Sequence, residues 1–219
     1  MRFSADYPNH FHQLLVSVSK HYLVKADGQI RFQKKKLDVS LNTFGNSDRV
    51  HVIHYILRDC FSGFYYVEIT SSESLIPLQD FLLRAFLPKP DIYFGGMPKL
   101  LMIPKQVENL YPSIHGFLAG LNIEIIHPVD GFDSGITALT NWESKFRIAL
   151  LPEEDIDMVE RWNPRTAMPY LRLFNSKKLE LWQKHLGDIF MPSDEYVRKT
   201  ASPDFRYANE FTLHTTVFA

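Results

Sequence analysis

The chain has 219 residues, 45% of them hydrophobic and 22% charged, with a formal net charge of −1. That length supports one sizeable core with an appended segment, and near-neutrality excludes a protein that holds nucleic acid by bulk charge, so such binding requires a local patch. A single cysteine, Cys60, excludes an intramolecular disulfide and fits a reducing compartment, and no apolar run reaches the ~18–20 residues of a membrane-spanning helix.

The opening MRFSADYPNHFHQ lacks the charged-then-apolar order of a signal peptide, so a cytoplasmic protein with no membrane partner is expected. His10–Val24 places Phe11, Leu14, Leu15, Val18, Tyr22 and Leu23 at helical spacing and predicts a helix. Asp27–Gly28 signals a turn, and the basic run Arg31–Lys36 leads into a predicted strand, Leu37–Leu41. Asn42–Asp48 reads as a hairpin loop. Val50–Leu57, rich in β-branched and aromatic residues, predicts a central strand with Gly63–Thr70 as its antiparallel partner.

Leu75–Phe86 carries Leu75, Leu78, Leu82, Ala85 and Phe86 on one helical side, and Leu100–Ile103 suits a short buried strand. Val107, Leu110, Tyr111, Ile114, Phe117, Leu118 and Leu121 predict one continuous helix, closed by Gly120–Asn122. Ile123–Ile126 reads as a strand, Gly131–Gly135 as a loop and Leu139–Leu150 as a helix. Pro152 and the acidic run Glu153–Asp157 mark a break. The tail from about Trp162 carries a predicted helix, Lys177–Leu186, and a strand-like end, Glu210–Phe218. Strands followed by alternating helices and strands imply an α/β arrangement with a mixed sheet.

Asp38 in a predicted first strand, the turn Asp59–Cys60–Phe61–Ser62–Gly63–Phe64 and the order of elements over Lys36–Phe146 resemble the catalytic core of retroviral integrases and related transposases. The resemblance covers about half of the chain. It implies an α/β, ribonuclease-H-like mixed sheet of five strands flanked by helices, with extra N- and C-terminal segments. The corresponding division is an N-terminal helical segment, 1–30, a core, 31–150, and a C-terminal extension, 151–219.

In that family a first-strand Asp, a second Asp after a short strand and a Glu opening a later helix hold metal ions. Here Asp38 stands at the first place, but Pro104 and Lys105 follow the strand Leu100–Ile103, and Ala138 stands where the Glu is expected, with Glu143 beyond it. Two-metal phosphoryl transfer needs carboxylates that hold two cations ~3.5–4 Å apart, and neither proline nor lysine supplies a ligand. The expectation is therefore a core that has lost catalysis and works by binding nucleic acid or a partner.

The alternative is an active strand-transfer enzyme that uses Mg²⁺ or Mn²⁺, with Asp38 and Glu143 as catalytic acids and Asp38 with Asp133 as metal ligands. A third reading is an interaction module without nucleic acid, motivated by the aromatic tail Phe174, Trp182, Phe190, Tyr196, Phe205, Tyr207 and Phe211. The residues expected to meet nucleic acid are Arg31, Lys34, Lys35, Lys36, Lys99 and Lys105. Expected partners are DNA or RNA, other transposition or DNA-processing subunits, and a second copy of the chain.

Each residue also has a plainer reading. Asp38 suits a strand-end hydrogen-bond acceptor, Asp59 a turn cap, Glu143 a solvated surface acid, Asp130 and Asp133 turn residues, and the lysine run a charged edge that discourages strand aggregation. His51 and His54, three apart on a strand, point to opposite faces and make a poor ligand pair.

Overall fold

The computed structural model describes residues 5–25, 30–63, 65–89, 94–128, 139–140, 143, 191–205 and 207. Its centre is β1 (Phe11–Val24), a strand of 14 residues rather than the expected helix. Phe11 to Val16 are buried without interruption. A strand covered on both faces shows no two-residue alternation, and its apolar positions then mimic helical spacing. The expected helical segment 1–30 thus supplies the middle of the sheet.

β2 (Ile30–Phe32) pairs with the end of β1, and β3 (Val50–Asp59) and β4 (Tyr65–Ser71) follow as predicted. The expected strand at Leu37–Leu41 is an irregular segment, followed by a short 3-10 turn at Phe44–Asn46. α1 (Leu78–Phe86), β5 (Leu100–Met102) and β6 (Glu124–Ile126) occupy their expected places. The single helix expected from Val107 to Leu121 is two: α2 (Lys105–Leu110) and α3 (Ile114–Gly120). Pro112 lies between them; it has no amide hydrogen to continue a helix. Asn122, at φ 56°, turns the chain out of α3 as the sequence suggests. α4 (Asp194–Thr200) lies in the C-terminal extension.

The strands order as β4-β3-β1-β5-β6, with β2 attached to β1. β3 runs antiparallel to both of its neighbours, β1 and β4, and β5 and β6 run parallel to β1. This mixed sheet flanked by helices agrees with the expected α/β class, with six strands where five were expected, because Phe11–Val24 and Ile30–Phe32 join the sheet and Leu37–Leu41 does not. On one face Phe81 of α1 packs on Tyr55 and Tyr66, with ring centroids 5.5 and 5.6 Å apart. α3 adds Phe117 and Leu118 to the core, and Tyr196 of α4 donates its hydroxyl to the Phe117 carbonyl at 2.5 Å. Gly120 leaves room for that tyrosine, because a Cβ there would lie 2.5 Å from its hydroxyl. On the other face the helical residue Glu143 meets Ser19 of β1 and His54 of β3, and Leu139 is buried in the core.

The first face also buries polar clusters. Asp59 accepts from the backbone amides of Asn9 at 2.9 Å and Ser62 at 2.7 Å, and from the Ser62 hydroxyl, which bears out its reading as a turn cap. Arg84 grips Glu68 with two bonds of 2.7 Å, and Tyr66 donates to the same carboxylate at 2.7 Å. Lys89 donates to the carbonyls of Ala85, Leu87 and Phe94 at 2.6–2.8 Å. Burial pushes that ammonium down to about 7 against the charge of Glu68. Three carbonyl acceptors nevertheless match only the three N–H donors of the protonated form, so the site holds the cation. Lys89→Met removes these donors and should destabilise the fold by about 2 kcal/mol in urea titrations.

His12 is fully buried, donates through Nε2 to the Asn9 side-chain carbonyl at 2.9 Å, and leaves Nδ1 without a partner among the described residues. Burial lowers its pKa to about 4, although Asp59 opposes the shift. The unfolded chain therefore binds a proton that the folded chain refuses between pH 6.5 and 4. Stability is full above pH 6.5 and falls by about 3 kcal/mol as pH drops through that window. His12→Gln should flatten this dependence in denaturation curves measured at pH 7 and pH 4.5.

Candidate nucleic-acid interface

β1 and β3 pair in one register up to Val18, and pairing resumes only at Leu23. The break freed by this shift is rebuilt with side chains. Glu143 Oε1 accepts from the Ser19 hydroxyl at 2.6 Å and from the Lys20 amide at 3.0 Å. Ser19 Oγ in turn accepts from the amides of His21 and Tyr22 at 3.3 and 3.0 Å. Three amides within the break are thus satisfied by two side chains, as buried backbone requires. His54 Nε2 approaches Glu143 Oε1 at 3.4 Å. Burial alone would raise the Glu143 carboxyl, but His54, Ser19 and the Lys20 amide together hold it below its ordinary value. Glu143 is therefore a buried anion, not the surface acid of its plainer reading.

Where β1 leaves its register, the chain after β2 folds against it. The amides of Gln33 and Leu37 donate to the carbonyls of His21 and Lys20, each at 2.8 Å. β5 ends nearby at Met102 and turns into Pro104 and α2. Between them opens a cleft of about 1180 Å³. Lys20, Lys34, Lys36 and Lys105 line it, with His21 and His127. Its carboxylates among the described residues are Asp38 and Glu143. Apolar walls come from Leu15, Tyr22, Phe32, Leu37 and Val107. His21 stacks on Phe32 with ring centroids 5.7 Å apart, and Lys20 donates to the Val39 carbonyl at 2.7 Å.

The structure brings five of the residues singled out in the sequence into this cleft: Lys34, Lys36, Asp38, Lys105 and Glu143. Asp38 reaches it from the irregular segment after β2, exposed, rather than from a first strand. Lys35 is exposed beside it. Arg31 faces a separate groove. Lys99 lies at the opposite end of β5, its ammonium 5.4 Å from the centre of the Tyr7 ring. Asp130, Asp133 and the Gly131–Gly135 loop lie outside the described residues, as do Phe174, Trp182, Phe190 and Phe211 of the aromatic tail. Of that tail, Tyr196 packs on α3, Phe205 lies under Arg84 with 5.7 Å to its centroid, and Tyr207 is 53% exposed. Lys20, His21 and His127 join the cleft without being singled out by the sequence reading. The sequence signal for the first two is the polar interruption Ser19–Lys20–His21 inside an otherwise apolar run.

The donors among the described residues do not fit a pair of divalent cations. Among the described residues no three carboxylate, imidazole or thiolate side chains converge to hold a metal ion. The Glu143 oxygen nearest the sheet is committed to Ser19 and Lys20, and four ammonium groups share the cleft with Asp38. His51 and His54 point to opposite faces, as expected from their spacing: His51 Nε2 meets Ser47 at 2.9 Å and His54 meets Glu143. The Cys60 thiol, pushed up to about 12 by burial despite Arg58, is not a nucleophile at neutral pH. Among the described residues no helix is long and apolar enough to cross a membrane.

No protein-family model and no curated protein matches the sequence. Among solved structures, a chain of the cryo-EM structure of the simian T-cell lymphotropic virus intasome in complex with PP2A regulatory subunit B56 gamma is similar to this one. The TM-score is 0.45 and the identity 14%, over 91% of this chain and 62% of that chain. This chain therefore spans less than two thirds of the length of that neighbour.

Proposed function

We propose that this chain is an integrase-type core without strand-transfer chemistry that binds nucleic acid through the basic cleft. The observation that carries the reading is the gathering of Lys20, Lys34, Lys36 and Lys105 around one cleft in a chain whose net charge is −1. Such local concentration is what phosphate binding requires when bulk charge is absent. The loss of catalysis is supported by the same region. β1 carries no acid along its length, Pro104 and Lys105 follow β5, and Glu143 closes the break in β1. A role beside other transposition or DNA-processing subunits, or in a homodimer, fits a core of this kind.

A second reading keeps the enzyme, and one observation favours it: Asp38 and Glu143 line the same cleft. It needs a further carboxylate, for which Asp133 is the candidate, and Mg²⁺ or Mn²⁺ as cofactor.

Two measurements separate these readings. Fluorescence anisotropy with a labelled oligonucleotide should show binding that weakens steeply with salt. Replacing Lys34, Lys36 and Lys105 by Ala should lower the slope of log K against log salt by about 0.7–0.9 for each phosphate no longer neutralised; an unchanged slope removes the cleft from binding. In an Mn²⁺-dependent cleavage assay the expected result is no strand cleavage. Cleavage that Asp38→Asn abolishes would instead establish the second reading.

A further inference from the structure

The segment that carries α4 is seated against α1 and α3. Val197 is 2% exposed, and Tyr196 fits against Gly120 with its hydroxyl on the Phe117 carbonyl. Farther along, Phe205 lies under Arg84 of α1. Between these contacts Asp80 of α1, 3% exposed, accepts from the Ser202 amide at 2.9 Å and from the Ser202 hydroxyl. One buried carboxylate thus meets one serine through both of its donors.

Ser202 is also the chain's one serine or threonine that is followed by proline. The Phe205 amide donates to the Ser202 carbonyl at 3.0 Å and closes a turn whose tip, Pro203 and Asp204, is exposed. Ser202 itself is half-buried. A phosphoserine has no hydroxyl hydrogen to donate to a carboxylate and carries a charge of about −1.5 to −2. At this position that charge faces Asp80. Arg84, one helical turn farther along α1, already holds Glu68 with two bonds. Phosphate on Ser202 therefore puts repulsion where the free serine makes a hydrogen bond.

We infer that Ser202 is a phosphorylation site for a proline-directed protein kinase, and that its phosphate releases the α4 segment from α1 and α3. The Ser202 Oγ attacks the γ-phosphorus of ATP. An O–P bond forms, the bond to the bridging oxygen of the β-phosphate breaks, ADP leaves, and the hydroxyl proton passes to the base of the kinase. The kinase takes chains whose segment has left its seat, and the phosphate keeps them from returning. The inference uses no residue of the cleft and stands apart from the nucleic-acid reading.

The test is hydrogen–deuterium exchange of the full chain before and after incubation with a proline-directed kinase and ATP, with the phosphate located by mass spectrometry. Phosphate on Ser202 is expected, with exchange over residues 194–205 faster by about tenfold or more and β3 and β4 unchanged. Phosphatase should restore the slow exchange. Ser202→Glu should reproduce the acceleration, and Ser202→Ala should give a smaller one. Adding Asp80→Asn to Ser202→Glu should slow exchange again, because an amide donates to the introduced carboxylate; a merely structural Asp80 predicts a further acceleration. No phosphate on Ser202, phosphate with unchanged exchange, or acceleration shared by β3 and β4 would each overturn the inference. The kinase and phosphatase cycle is read on the unaltered chain, so it decides even where a variant fails to fold.

Discussion

The carboxylate of Glu143 closes the break in the central strand, and the geometry around the cleft depends on that closure. A strand buried on both faces cannot simply stop pairing, because each stranded amide would lose its water without gaining a partner. Glu143 and Ser19 meet this demand for Lys20, His21 and Tyr22. Freed from β3, this stretch offers the carbonyls of Lys20 and His21 to the segment after β2. Lys34, Lys36 and Asp38 are thereby carried opposite Lys105.

The same economy governs the other buried acids. Asp59 serves backbone amides, Glu68 is held by Arg84 and Tyr66, and Asp80 accepts from the amide of Ser202 at 2.9 Å and from its hydroxyl. A carboxylate taken out of water needs donors or a countercharge, and each of these has found them. Acids are drawn inward in this way, while lysines and arginines remain at the surface near β2. A chain with a net charge of −1 therefore presents two cationic concavities.

Much of the fold is legible without the structure. β3, β4, α1, β5 and β6 fall where composition and turn residues place them, because each is bounded by strong local signals. Two elements mislead, for different reasons. Pro112 interrupts a helical pattern whose apolar positions remain in phase on either side. β1 reads as a helix because burial on both faces erases the alternation by which a strand declares itself. Moving the first strand from Leu37–Leu41 to Phe11–Val24 also moves Asp38 from the sheet to the rim of the cleft.

By itself, the sequence determined the α/β class, the turn role of Asp59, the opposite facing of His51 and His54, and the basic character of the run after Arg31. These follow from local spacing and short-range hydrogen bonding. The tertiary structure decided which residues meet. Ser19 and Glu143 are 124 residues apart in the chain, and their bond depends on two elements closing on opposite sides of a strand break. The division of Arg31 from Lys34 likewise depends on the register of β2 against β1, which sets the face for each side chain. Register is a property of paired strands, and a single strand read alone does not contain it.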